Sequence, residues 1–182
     1  RRLYTVYRYG IHGGESKILK YDVTPSGLSS PVTIDSSSYY YWEPSEVELS
    51  PGNDKLVFVR PKKLHNVYHD NTNDITIVSL DTASGNLSSM SSYDLEEHSS
   101  IYDRYVGLEL DTSGNYAYVV KEDEKMLKVD LSDGTTTAVT PNGHTVFNTQ
   151  LERARDGRIY AVKSNGKVYY INETYNTIVE SQ

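Results

Sequence analysis

Five histidines, one run of aromatic residues and several carboxylate clusters are the side chains in this sequence that could do chemistry. The densest group is residues 60–74, RPKKLHNVYHDNTND, which holds His65, Tyr68, His69, Asp70 and Asp74 in one polar segment. Imidazole and carboxylate together are the ligand types of zinc and other divalent cations. Histidines spaced as His65 and His69 share one side only on a helix, and Pro61 with the Asn- and Asp-rich run opposes a helix there. Residues 70–74, DNTND, match a calcium loop only in part: the glycine of the sixth place and the acidic ligand of the twelfth are missing. A solvated loop is therefore favoured over a calcium site, and no cofactor is expected.

The run at residues 39–42, YYYW, offers a second kind of chemistry. Tyr40 and Trp42 can stack on a sugar or anchor a protein partner, although alternate members of such a run can equally pack between sheets. His12, His98 and His144 lie in other polar segments. No Gly-x-Ser-x-Gly elbow, phosphate-binding glycine loop or His-Glu-x-x-His motif occurs. Serine, histidine and aspartate are so plentiful that no particular trio stands out as a triad, and the carboxylates at Glu96-Glu97 and at residues 122–124 sit where turns need charge. No residue is assigned a catalytic role. Asn86-Leu87-Ser88 and Asn172-Glu173-Thr174 are formal glycan sequons that read equally well as turn chemistry.

What must position these residues is a series of short strands. Residues 107–140 hold four apolar or β-branched runs, at 108–110, 116–120, 126–131 and 135–139, separated by Ser113-Gly114-Asn115, Glu122-Asp123-Glu124 and Ser132-Asp133-Gly134. The connections are too short for crossover helices, so the runs predict a four-stranded antiparallel meander. The pattern repeats on both sides. VELSPGNDKLVFV, GLELDTSGNYAYVV and TQLERARDGRIYAV share one turn, and ILKYDVTPSG, ITIVSLDTASG, MLKVDLSDG and VYYINETYN share a third strand with Asp22, Asp81, Asp130 or Asn172 at its end. An Asx turn closed by that side chain, with Gly27, Gly85, Gly134 or Asn176 taking the left-handed conformation after it, makes the repeated acid structural.

Four-strand units recurring every few tens of residues imply β-propeller blades, since one meander cannot cover its own apolar faces. The expected fold is all-β, with three complete four-stranded blades and most of a fourth: residues 1–38 lack an inner strand, and 39–95, 96–140 and 141–182 are whole. Further blades, from the same or another chain, are expected to complete the ring, and the first residue being Arg1 suits an excerpt or processed product. The turns SPGNDKLVFV, TSGNYAYVV and RDGRIYAV, with the third strands, resemble the YVTN and WD-repeat-like propeller superfamily over nearly the whole chain. The set GLELDTSGNYAYVV, ILKYDVTPSG and TQLERARDGRIYAVKSNGKVYYIN is also similar to propeller segments of large Bacteroidota surface proteins exported by the type IX route. That resemblance implies an extracellular or cell-surface location.

Composition narrows the partners. The net charge of −7 opposes nucleic-acid and anionic-membrane surfaces, which need basic patches. No apolar run is long enough for a membrane-crossing helix. Seventeen tyrosines against two phenylalanines suit pleated surfaces with wet rims, and the absence of cysteine removes disulfides and thiolate chemistry. In a propeller, the loops between second and third strands and the connectors between blades share one end, and all five histidines fall in those segments together with Tyr40, Trp42 and Tyr68. The sequence therefore predicts a non-catalytic module that binds protein or glycan through His12, Tyr40, Trp42, His65, Tyr68, His69, His98 and His144. A metal-dependent propeller hydrolase, of lactonase or glycosidase type, and a structural spacer are the alternatives.

Overall fold

A computed structural model describes residues 1–8, 16–37, 46–59, 74–95, 105–121, 126–141, 150–162 and 166–181. Among them the regular structure is entirely β. The first sheet contains β1 (Arg2–Arg8), β2 (Ser16–Thr24), β3 (Gly27–Leu28) and β4 (Val32–Ser37), with β2 pairing antiparallel to all three others. The second runs β5 (Glu46–Leu49), β6 (Lys55–Val59), β7 (Asp74–Leu80) and β8 (Leu87–Asp94) in simple order. In the third, β9 (Tyr105–Leu110), β10 (Tyr116–Lys121), β11 (Met126–Asp130) and β12 (Thr136–Ala138) form the meander that residues 107–140 predict. The fourth runs β14 (Leu151–Arg153), β15 (Ile159–Val162), β16 (Val168–Asn172) and β17 (Thr177–Glu180). Outside β17 lies β13 (Thr140–Pro141), paired parallel to it, so the chain leaving the third sheet first runs along the outer strand of the fourth.

The inner strands of the second and third sheets are covered on both faces, which explains why β6, Lys-Leu-Val-Phe-Val, shows no polar alternation. Leu56 and Phe58 face the first sheet, packing with Ile18, Val78 and Leu80, while Val57 and Val59 face the third, packing with Leu108, Leu110 and Val119. A third apolar layer, including Tyr118, Val120, Met126, Ile159, Ala161 and Ile171, joins the third sheet to the fourth. Each fully buried aliphatic or aromatic side chain in these layers contributes about 1.5–3 kcal/mol. The first strand of the third sheet, β9, lies beside both β5 and β14. Stacked sheets whose first strands converge are blades fanned about an axis, and the fold is that of a β-propeller whose ring is not closed by these four sheets. No strand flanks β1 on its inner side among the described residues.

The turns show how the repeat is written. Ser50 Oγ accepts from the backbone N–H groups of Asp54 (3.2 Å) and Lys55 (2.9 Å) and donates to Asp54 Oδ1 at 2.7 Å. At the matching place in the next sheet Asp111 Oδ1 accepts from Asn115 N–H (2.9 Å) and Tyr116 N–H (3.0 Å). In the last sheet Ala154 stands there, and Asp156 takes over by accepting from Arg158 N–H at 3.0 Å. The third-strand acids close Asx turns as expected at Asp130 and Asn172, each accepting from the N–H two residues on, and Asp81 caps its turn by accepting from Ser84 N–H three residues on. Asp22 departs from this reading. Its turn is longer and is closed by Ser29, whose N–H donates to Asp22 O and whose Oγ accepts from Asp22 N–H, while Thr24 Oγ1 donates to Gly27 O.

Two glycines tie these turns to the preceding blade. Gly134 has φ 79°, and a Cβ there would lie 2.5 Å from Cβ of Tyr93, whose hydroxyl donates to Ser132 O at 2.8 Å. Gly85, at φ 67°, backs onto Arg2 and Tyr4 in the same manner. There Arg2 donates to the carbonyls of Thr82 and Ala83, and Lys20 Nζ donates to Ser84 O (2.7 Å) and Asn86 Oδ1 (2.8 Å). Blades are thus joined by apolar layers inside and by side-chain-to-carbonyl latches at the turn end.

Candidate functional site

Antiparallel order sends the chain to alternate ends of each sheet. One end carries the tight turns that follow β5, β7, β9, β11, β14 and β16. The strand ends that flank residues 9–15, 38–45, 60–73, 96–104, 122–125, 142–149 and 163–165 lie at the other. His12, Tyr40, Trp42, His65, Tyr68, His69, His98 and His144 all fall in those segments and lie outside the described residues, as do residues 70–73 of the calcium-loop reading. Among the described residues no group of three or more His, Cys, Asp and Glu is arranged to hold a metal ion.

Within the described residues, titratable chemistry gathers at the first strands. Their registers place Glu48 opposite Val57, Glu109 opposite Tyr118 and Glu152 opposite Tyr160, so the three glutamates occupy one repeated position in three successive blades. Each sits two residues before the turn-opening Ser50, Asp111 or Ala154 and shares the face of the residue it opposes, Glu48 that of Val57 toward the third sheet, Glu109 that of Tyr118 toward the fourth, and Glu152 that of Tyr160 on the outward side. Convergence of β5, β9 and β14 brings them together near the axis, with Glu46 one pleat from Glu48.

Glu109 shows what the position does structurally. It is 7% exposed; its Oε1 accepts from Leu110 N–H and its Oε2 from Arg153 N–H in the next blade, both at 2.8 Å. The Arg153 guanidinium lies 3.8 Å from Glu109 Oε1 through Nε and 3.8 Å from Glu173 Oε1 through Nη1, while Nη1 also donates to Gly157 O at 2.7 Å. Burial still raises the Glu109 carboxyl above the ordinary range, against those hydrogen bonds.

Glu48 has the larger displacement. Burial, then the negative charges of Glu109, Glu152 and Glu46, push its carboxyl from 4.5 up to about 8, with Arg153 opposing. Glu46 is also raised by burial, moderated by a hydrogen bond from Gln150. Near neutral pH Glu48 therefore keeps its proton as a carboxylic acid able to donate. Between the third and fourth blades, the Tyr118 hydroxyl and Arg153 Nη2 are buried without a hydrogen-bond partner among the described residues. An open recess of about 380 Å³ is lined by Thr112, Gly157, Arg158, Tyr170 and Glu173. Burial, then Glu173 and Asp111, drive the Tyr118 phenol well above its usual value.

Sequence reasoning passed over the axial glutamates, although V-E-L, L-E-L and L-E-R stand in register in the three repeated motifs. The two sequon asparagines serve as turn residues: Asn86 Oδ1 accepts from Lys20 and Asn172 Oδ1 from Thr174 N–H.

The sheet architecture places this chain in the class of propeller-type all-β proteins. A crystal structure of a structural genomics protein of unknown function from Bacteroides thetaiotaomicron VPI-5482 shares that fold, with a TM-score of 0.56 and 12% identity over 90% of this chain. The match spans 40% of that protein's own chain. No protein-family model matches the sequence, and no curated protein matches it.

Proposed function

We propose that this chain is a non-catalytic binding module of a secreted or cell-surface protein, built from blades of the YVTN and WD-repeat-like kind, that recognises a protein or glycan through one end of its sheets. One observation carries the reading: all eight candidate side chains belong to segments that leave the sheets at a single end, while the described turns at the opposite end spend their polar groups on one another. Stacked sheets joined by buried apolar layers are a scaffold on which such loops can hold a binding surface. Replacing Tyr40 and Trp42 with alanine and measuring capture of glycans and surface proteins tests it. Loss of capture with unchanged thermal unfolding supports the reading, and unchanged capture removes these aromatics from it.

A second reading is favoured by Glu48. A carboxylic acid with its pKa near 8 beside other carboxylates at a propeller axis suits general acid chemistry in a hydrolase. Hydrolysis of chromogenic glycosides or lactones, lost in Glu48→Gln, would support this reading over the first.

A further inference from the structure

The outward face of the fourth sheet repeats, position for position, a face that is buried inside the protein. Registers align Tyr118 with Lys128 and Val120 with Met126 in the third sheet, and Tyr160 with Tyr170 and Val162 with Val168 in the fourth. Tyr118, Val120 and Met126 are 0%, 0% and 3% exposed against the fourth sheet. Their counterparts form an outward face: Val162 is 55% and Val168 37% exposed, Tyr160 and Tyr170 are half-buried with ring centroids 6.3 Å apart, Arg158 lies 4.9 Å over the Tyr170 ring, and the Tyr160 hydroxyl donates to Asp156 Oδ2 at 2.8 Å. On the same face exposed Glu152 stands where Glu109 accepts the inner-strand N–H of the next blade.

We propose that this face is one half of a blade-to-blade interface, and that its occupant is a further four-stranded blade of the same repeat on a longer polypeptide. Glu152 then accepts the N–H of that blade's first strand, as Glu109 accepts that of Arg153. The first sheet supplies the matching evidence at the other end of the fan, where Leu3 and Val23 are 42% and 41% exposed on the side away from Tyr4, Val6 and Ile18. A second copy of this chain could offer that face to the fourth sheet, but among the described residues it would bring no strand for the inner edge of β1, because the first strands β5, β9 and β14 are already committed to their own sheets. The Bacteroides protein of like fold is matched over only 40% of its chain, which leaves room for such blades on one polypeptide.

Nitration with tetranitromethane, read residue by residue by mass spectrometry, tests this on the 182-residue chain and on the natural full-length polypeptide. Tyr160 and Tyr170 should react in the 182-residue chain and react roughly tenfold or more slowly in the longer one, as expected for sites reached only by local opening. Tyr175, 74% exposed in a turn, should react alike in both. Equal rates at Tyr160 and Tyr170 in the two proteins, a natural polypeptide without a further repeat, or protection that grows with concentration in the 182-residue chain would each overturn the proposal, the last in favour of a second copy.

Discussion

Replacing Glu48 with glutamine should stabilise the protein at alkaline pH and do little near pH 4. The native carboxyl is raised from 4.5 to about 8, so the native state keeps a proton that the unfolded chain has released. Stability from this group is therefore undiminished below about 4.5, falls as pH rises through the window, and is lowest above about 8. The gap between the two values corresponds, at ~1.4 kcal/mol per pH unit, to ~5 kcal/mol. Glu48 keeps part of its surface in solvent, and screening reduces this to about 2 kcal/mol. Glutamine preserves the shape and the donor while removing the charge facing Glu46, Glu109 and Glu152. Urea unfolding of both proteins by circular dichroism at pH 4.5, 7 and 9 measures the difference. The expected result is a gap between variant and wild type that opens as pH rises, reaching about 2 kcal/mol in the variant's favour. A gap independent of pH, or a variant less stable at pH 9, would refute the account of the axial carboxylates.

Other outcomes follow from the packing. Gly134→Ala should destabilise by about 2 kcal/mol or more, because it adds a Cβ at φ 79° against Tyr93, and Tyr93→Ala in the same protein should recover part of that loss in a double-mutant cycle. Ser50→Ala removes the acceptor of two turn N–H groups at a position 2% exposed and should cost about 1–2 kcal/mol in denaturant titration. Phe58→Ala, at 0% exposure between the first two sheets, should cost about 3–5 kcal/mol and lower the thermal midpoint sharply.

Much of the fold was legible because turn chemistry and strand content agree. Ser113-Gly114-Asn115 and Ser132-Asp133-Gly134 bound β10 and β11 as their residue types require, and the left-handed residues fall at Gly85, Gly134 and Asn176. Asp22 looked like its counterparts yet lies in a longer turn, since Thr24 and Ser29 supply competing hydroxyls that a sequence comparison of acids alone does not weigh. The axial glutamates were missed for a different reason. A glutamate between two apolar residues in a short strand, as in Leu108-Glu109-Leu110, reads as the solvent-facing member of an alternating pair. Only the stacking of a further blade on that face turns it inward, and a single sheet's periodicity carries no sign of which neighbour stacks there. The proposed recognition residues were readable only as a one-sided distribution along the chain, because loop chemistry depends on neighbours brought together by the fold rather than on local spacing.

The central claim is that recognition belongs to one end of the blades. It is tested most directly by measuring capture of glycans and surface proteins with two sets of substitutions in the same protein. One set alters the loop segments, Tyr40→Ala, Trp42→Ala and His69→Ala; the other alters the opposite turns with Arg155→Ala and Tyr175→Ala, both at exposed positions. The account predicts that the first set abolishes capture and the second leaves it intact, with both sets unfolding at the wild-type temperature. Capture lost from the turn set, or retained in the loop set, would contradict it.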